Sequence, residues 1–380
     1  MQDKVNQVFN SHALFFDQVF HGVTGKTSFS QEREPGVTYL PDGSVEFCFF
    51  APDAKCVEVG GMPGTSFGEE KRPMTKDENG NWRTVVSGVP KRFHYITFYV
   101  DGTAVTNPCM AHGVGYGRVV NFIDVPDPEE DFYLVQPVAH GNIRYEFYES
   151  SVTGRLRDCL VYTPPGYDDS DKEYPVLYIQ HGSGENETGW FWQGKLNFIM
   201  DNLLAAGKAE EMIIVANCGY AYKGRQDLEA TPMDIEKLIM QDVIPFIEKK
   251  FRVKKGNENR AIAGLSMGSY QALYTGLKNL GTFPYIGVFS GGLSPMASAA
   301  GRNSSHYALL KDTDRMNSNV KLLFCTHGTE EMGHFQKVDA EAEELIKNGL
   351  RVLETYTCPG VHEWQVWRHS AHEFLQKIFK

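Results

Sequence analysis

The sequence lacks the features of disulfide-rich, membrane-spanning and low-complexity proteins. Its seven cysteines are odd in number and contain no C-x-x-C pair, so we expect reduced, mostly buried thiols and no disulfide framework. No stretch approaches the roughly 18 consecutive apolar residues that a membrane helix requires, and no low-complexity segment interrupts the chain. We therefore expect a globular protein that has no membrane partner.

The sequence also has no excess of basic residues. There are 37 Lys and Arg against 48 Asp and Glu, which gives a net charge of −11 and argues against a nucleic-acid partner. The N-terminus lacks a basic start, an apolar core and a small-residue cleavage site. We expect a cytoplasmic location, although a secreted protein whose signal peptide has been removed would look the same. A homodimer is a possible partner arrangement that the sequence leaves open.

A chain of 380 residues exceeds what one hydrophobic core usually serves, so two domains are expected. Residues 1–33 form a polar leader of unknown role. Residues 34–126 alternate short apolar and polar runs with turn signals such as PDG and VDGT, a pattern typical of a small all-β, immunoglobulin-like sandwich. Residues 127–140 are rich in proline and acidic residues and are predicted to be a linker.

Residues 141–380 have a different pattern. Short, continuously apolar runs, among them VLYIQ, MIIVAN, AIAGLS and YIGVFS, alternate with amphipathic helical segments. In the clearest helix, Ile235, Ile239, Val243, Ile247 and Phe251 fall on one stripe. Such alternation predicts an α/β-hydrolase fold whose mostly parallel sheet is covered on both faces.

The motif Gly264-Leu265-Ser266-Met267-Gly268 stands between a predicted strand and a predicted helix. A serine that projects from a sharp strand-to-helix turn crowds its neighbours, and glycines on both sides let the backbone close up. The start of the helix adds positive potential where an oxyanion would form. We predict that Ser266 is a catalytic nucleophile.

A second glycine motif, His181-Gly182-Ser183-Gly184, follows the strand VLYIQ. Glycines there allow backbone N–H groups to face a substrate carbonyl, as an oxyanion loop requires. We predict that the amides of Ser183 and Met267 form the oxyanion hole. We expect His181 to fix this loop and not to titrate in catalysis.

The general base should follow the serine, because the order in this fold is serine, acid, histidine. His362 lies in a loop between a predicted strand and the last helix and is the preferred candidate, whereas His369 and His372 fall inside that helix. His327 and His334 lack a recognised metal-ligand spacing. Neither a metal nor another cofactor is expected.

The triad acid is expected just after the strand KLLFCT, because a carboxylate there can hold the second imidazole nitrogen. The loop contains two adjacent candidates, Glu330 and Glu331. Both remain open on this reasoning.

These motifs resemble carbohydrate esterase family 1, which includes feruloyl esterases and acetylxylan esterases. The resemblance rests on TPPGYD, HGSGENETGW, DVIPFIEKKFRV, NRAIAGLSMGSYQAL, HGTEE and PGVHEWQVWR, in this order over residues 140–380. It implies that Ser266 and His362 are nucleophile and base, and Glu331 falls where the family usually has aspartate. The β segment, with VEFCFFAPDAKCVEVGG, is similar to carbohydrate-binding module family 48, which implies glycan binding by that domain.

The resemblance implies an enzyme that releases ferulate or related hydroxycinnamates from plant cell-wall esters, with a feruloylated oligosaccharide as its substrate. Trp190, Trp192 and Trp364 lie near the predicted site and could stack on an aromatic acyl group. Three alternatives stay open: an acetylxylan esterase, a siderophore esterase, and a carbohydrate-binding protein with an inactive hydrolase domain. For the sandwich, the alternative to glycan binding is a structural lid or an oligomer contact.

Overall fold

The structure is a computed structural model and describes residues 35–222, 232–293, 307–331 and 337–380. The predicted leader, residues 1–33, lies outside the described residues. The chain divides between Val135 and Gln136 into two compact units. This division falls within the stretch predicted as a linker.

The first unit is all β. One sheet has the strand order β1-β2-β6-β5, and the other has the order β4-β3-β7-β10-β9 with β8 paired to β7. The strands are β1 (Val37–Tyr39), β2 (Val45–Phe50), β3 (Val57–Gly60), β4 (Arg72–Pro73), β5 (Thr75–Lys76), β6 (Asn81–Val86), β7 (Arg92–Val100), β8 (Thr103–Val105), β9 (His112–Gly115) and β10 (Arg118–Val125).

Both sheets of this unit contribute to one hydrophobic core. Phe47 of β2 and Phe98 of β7 meet edge to face with ring centroids 6.2 Å apart. Trp82, Phe93 and Tyr95 are also buried, so these aromatic side chains are core residues and not an exposed sugar platform. The predicted all-β fold of this unit is confirmed, while its glycan binding stays a prediction.

The second unit is built on an eight-stranded sheet with the order β11-β12-β14-β13-β15-β16-β17-β18. The strands are β11 (Asn142–Ser150), β12 (Arg155–Thr163), β13 (Val176–Gln180), β14 (Ile213–Asn217), β15 (Arg260–Leu265), β16 (Tyr285–Phe289), β17 (Leu322–Gly328) and β18 (Leu353–Cys358). Strands β13 to β18 are parallel to one another, and every residue of β13, β14 and β16 is buried. The predicted mostly parallel, doubly covered sheet is confirmed.

Helices alternate with these strands. They are α1 (Gly189–Trp192), α2 (Leu196–Ala205), α3 (Pro232–Leu238), α4 (Ile244–Lys250), α5 (Met267–Lys278), α6 (Thr313–Asn319), α7 (Lys337–Lys347) and α8 (Trp364–Leu375), and a π-helical turn, Ile239–Val243, joins α3 to α4. Ile235, Ile239, Val243 and Ile247 of the predicted stripe are fully buried. None of the helices in the described ranges has the length and apolar character needed to span a bilayer.

The parallel strands bring the predicted site residues to one edge of the sheet. Residues 181–184 follow β13, Ser266 follows β15, Glu331 follows β17 and His362 follows β18. Because carboxyl ends of parallel strands share an edge, loops far apart in sequence meet there, and this edge is where ligands bind in open α/β sheets.

Candidate active site

Ser266 occupies a strained turn between β15 and α5. Its backbone angles are φ 50° and ψ −118°, a conformation that non-glycine residues rarely adopt and that clusters at functional sites. A Cβ atom on Gly264 would lie 2.3 Å from the carbonyl oxygen of Gly268, and one on Gly268 would lie 2.5 Å from that of His181. Only glycine fits at these two positions, which is the reason the motif needs them.

The loop 181–184 lies against this turn. A Cβ atom on Gly182 would be 3.4 Å from the Cβ of Ser266. The amides on both sides of Ser183 are held by side chains: Gly182 N–H donates to Glu185 Oε2 at 3.0 Å, and Gly184 N–H donates to the Tyr220 hydroxyl at 2.6 Å. Ser183 between them is exposed.

Met267 supplies the second predicted oxyanion donor. It is the first residue of α5, so its N–H has no carbonyl one turn earlier within the helix to bond to. Met267 directly follows Ser266 at the start of α5, and Ser183 follows Gly182, which lies against Ser266. Their role as oxyanion donors stays a prediction.

His181 is fixed by hydrogen bonds at both ring nitrogens. Nε2 accepts from Gly219 N–H at 2.8 Å, so Nδ1 carries the proton and donates to the Gly182 carbonyl at 2.7 Å. Burial lowers the pKa of His181 to about 4, because the charged form is desolvated. A neutral imidazole that ties β13 to the loop after β14 agrees with the expectation that it fixes the loop.

The structure pairs His362 with Glu331. Nδ1 of His362 lies 3.2 Å from Glu331 Oε2, and the Glu331 side chain is fully buried while that of His362 is 32% exposed. Glu331 Oε1 accepts from Ser290 Oγ at 2.5 Å and from Gly328 N–H at 3.0 Å. A buried, fully hydrogen-bonded carboxylate on one imidazole nitrogen leaves the other nitrogen to act as a base.

Glu330, the rival acid, is exposed. Its contribution to the loop is through the backbone, since its N–H donates to the Gly360 carbonyl at 3.0 Å. The geometry therefore favours Glu331 and not Glu330 as the partner of His362.

The substrate-stacking prediction needs correction for two of the three tryptophans. Trp190 and Trp364 are 1% and 0% exposed, and their rings pack edge to face at 5.3 Å. The indole N–H of Trp190 donates to the carbonyl of Gln180 at 2.9 Å. Both are core residues between α1 and α8, whereas Trp192 is half-buried and its role stays a prediction.

The sequence reasoning missed three residues that contact the site: Tyr220, Ser290 and Trp367. Ser290 and Tyr220 come shortly after β16 and β14, at the edge where the site lies, which was the available signal. Trp367 follows His362 by five residues, on α8, and carried no comparable signal.

Metal binding finds no support in the described ranges. No group of three or more His, Cys, Asp or Glu side chains there is arranged to hold a metal ion. His327 Nε2 instead bonds Asp339 Oδ2 at 3.0 Å, and His334 lies outside the described residues.

The parallel sheet, the strained serine and the buried acid that is hydrogen-bonded to a histidine define an α/β-hydrolase. The Esterase family matches residues 150–378, and the chain belongs to this family. It is 30% identical over 404 residues to an endo-1,4-beta-xylanase/feruloyl esterase from Xylanibacter ruminicola, an alignment that covers 98% of this chain and 52% of the relative. The chain thus spans about half the length of that relative, and 15% and 32% of two others.

Solved structures agree with this family. A CE1 ferulic acid esterase from Anaeromyces mucronatus, in complex with ferulic acid, is 26% identical with a TM-score of 0.56, over 64% of this chain and 93% of that one. An enterobactin esterase from Shigella flexneri is 14% identical with a TM-score of 0.67, over 90% and 96%, and shows a shared fold alone. The protein is an Esterase-family enzyme, and the family match, which begins at residue 150, leaves the resemblance of residues 34–126 to a carbohydrate-binding module a prediction.

Proposed function

We propose that the protein is a feruloyl esterase that hydrolyses the bond between ferulate, or a related hydroxycinnamate, and a sugar of plant cell-wall arabinoxylan. The observation that carries the proposal is the hydrogen bond between the buried Glu331 and His362 at the sheet edge that also holds the strained Ser266. The substrate class is supported by the relative named for xylanase and feruloyl esterase activity and by the ferulic acid bound to the solved relative.

In the first half of the reaction, His362 removes the proton of Ser266 Oγ, which attacks the ester carbonyl. The negative charge that develops on the carbonyl oxygen is stabilised by the N–H groups of Ser183 and Met267. His362, now protonated and stabilised by Glu331, donates its proton to the sugar oxygen as the C–O bond breaks. The sugar leaves as an alcohol, and a feruloyl-serine ester remains.

In the second half, water replaces the alcohol. His362 takes a proton from the water, the resulting hydroxide adds to the acyl carbonyl, and the same two amides stabilise the oxyanion. Ser266 leaves with the proton from His362, and free ferulate is released. No cofactor enters these steps.

We also propose that the half-buried Trp192 is the side chain that stacks on an aromatic acyl group. It belongs to α1, the helix that begins five residues after Gly184 of the oxyanion loop. An indole there could stack on the phenolic ring of the acyl group. Exchange of Trp192 for alanine should then raise KM for methyl ferulate and leave KM for a short acetyl ester unchanged.

The proposal is tested by ferulate release from methyl ferulate and from a feruloylated arabinoxylan oligosaccharide, with wild type beside Ser266→Ala. We expect release by wild type only. An acetylated xylan oligosaccharide and a catechol-serine ester test the acetylxylan and siderophore alternatives. Activity on either one without ferulate release would remove the feruloyl assignment and keep the triad.

A serine-directed phosphonate tests the inactive-hydrolase alternative directly. An active site with an activated serine should take up one phosphonate per chain, at Ser266. If wild type neither releases an acid from any ester nor reacts with the phosphonate, the domain is not a working esterase.

A further inference from the structure

Trp367 contacts both members of the acid–base pair, one directly and one through a serine. Its ring lies edge to face with the imidazole of His362, with centroids 5.1 Å apart and an interplanar angle of 89°. Its indole N–H donates to Ser290 Oγ at 2.9 Å. Trp367 is 5% exposed, so both contacts are made away from bulk water.

Ser290 completes the connection to the acid. It is fully buried, follows β16 with φ at 49°, and its N–H donates to the Thr326 carbonyl at 2.7 Å. Its hydroxyl hydrogen must go to Glu331 Oε1, 2.5 Å away, because the indole N–H already occupies the serine oxygen as a donor. The hydrogen bonds therefore run in one direction: the Trp367 indole N–H donates to Ser290 Oγ, and the Ser290 hydroxyl donates to Glu331 Oε1.

We propose that Ser290 and Trp367 are positioning residues that hold the Glu331 carboxylate and the His362 imidazole in the orientation of their hydrogen bond. The inference rests on the proposed function of the Ser266 site. Glutamate has one more rotatable bond than the aspartate usual in the resembled family, so its carboxylate has more orientations to lose. Ser290 and Gly328 N–H hold Oε1 and leave Oε2 for His362, while the Trp367 ring limits the tilt of the imidazole.

Two variants separate this role from simple packing. Trp367→Phe keeps a ring beside His362 and removes the indole N–H, and Ser290→Ala removes the hydroxyl and adds no volume. We expect Ser290→Ala to lower kcat for methyl ferulate by about 10- to 100-fold, the range for loss of a hydrogen bond to a charged group. Trp367→Phe removes a hydrogen bond between two neutral groups, so its kcat should fall by about 3- to 10-fold. KM should stay within about twofold, since neither residue binds substrate in this proposal.

A double variant gives a sharper test. If Trp367 acts on Glu331 through Ser290, Trp367→Phe should lower kcat little further in a protein that already carries Ser290→Ala. The loss of kcat in the double variant then falls well short of the product of the two single losses. The rate of phosphonate labelling at Ser266 should fall by the same factor as kcat. Trp82→Phe is the matched control, because it removes a buried indole N–H that donates to the Ala51 carbonyl in the β unit.

Thermal unfolding of every variant keeps the result interpretable, since a variant that melts like wild type is folded. Folded single variants that keep wild-type kcat, or that change KM alone, would overturn the positioning role. If the loss of kcat in the double variant equals the product of the two single losses, the proposed coupling of Trp367 to Glu331 through Ser290 is also overturned. An inactive wild type that fails to label is a different result, because it overturns the esterase function itself.

Discussion

His362 Nδ1 lies 3.2 Å from Glu331 Oε2, although 31 positions separate the two residues in the chain. They meet because β17 and β18 are parallel neighbours, so the loops after both strands lie side by side. Glu331→Gln keeps the shape of the side chain and removes its charge. It should lower kcat by about 10³- to 10⁴-fold, as loss of the acid does in other serine triads.

Glu330→Gln is the control for that experiment, because Glu330 is exposed and carries the same charge one position earlier. It should keep kcat and KM within about twofold, the behaviour of an exposed carboxylate that contributes little. Ester hydrolysis by the two variants at one pH is the measurement. If Glu330→Gln were the more damaging change, the pairing seen here would not be the catalytic one.

Much of this site could be predicted from sequence because its elements are local. The turn at Ser266 and the loop 181–184 are each specified by glycines a few residues apart, where added Cβ atoms would collide with backbone. The choice between Glu330 and Glu331 stayed open because adjacent residues at a strand end point in different directions, and only tertiary structure decides which one is buried.

The tryptophans show what sequence leaves undetermined. Trp190 and Trp364 lie close in sequence to loops of the site, yet both pack inward against each other, and proximity along the chain does not give the direction of a side chain. Ser290 and Trp367 were missed since their contact spans 77 positions. Long-range hydrogen bonds of this kind have no local pattern.

Tyr220 should matter for catalysis through the oxyanion loop. Its hydroxyl accepts the Gly184 N–H at 2.6 Å, and its ring packs against His181 with centroids 5.4 Å apart. Tyr220→Phe keeps the ring and frees the amide, so Ser183 next to it loses part of its fixed orientation. We expect kcat to fall about tenfold with little change in KM, less than the roughly 100-fold loss when an oxyanion donor itself is removed.

Tyr145→Phe is the matched control for Tyr220→Phe. Tyr145 is exposed, and its hydroxyl donates to Asp158 Oδ2 at 2.5 Å on the surface. Steady-state kinetics on methyl ferulate should show a loss of kcat for the Tyr220 variant alone. Equal kinetics for both variants would mean that the loop keeps its orientation without Tyr220.

The buried His181 should make the stability of the protein depend on pH. Its pKa is lowered from 6.5 to about 4 by burial, so between these values the unfolded chain binds a proton that the folded chain does not. Folded stability is therefore complete above pH 6.5 and falls as the pH drops toward 4. Between pH 7 and pH 5 this single group should cost about 2 kcal/mol of unfolding free energy.

The measurement is urea unfolding of wild type and His181→Asn at both pH values. The variant is expected to be less stable at pH 7, because it loses the bonds to Gly219 N–H and the Gly182 carbonyl. Between pH 7 and pH 5, the free energy of unfolding of His181→Asn should fall less than that of wild type, by about the same 2 kcal/mol. Equal losses would show that His181 is not held neutral in the folded protein.

Glycine usually makes a protein less stable than alanine does at the same position. The strained backbone of Ser266 predicts the opposite order for its two inactive variants. At φ 50° and ψ −118°, alanine keeps the steric strain and glycine relieves it, so Ser266→Gly should be more stable than Ser266→Ala by about 1 kcal/mol. At Ser170, where φ is −137° and ψ is 148°, glycine should be less stable than alanine. Urea unfolding of the four variants tests both orders, and glycine less stable at both positions would mean that the turn at Ser266 stores no strain.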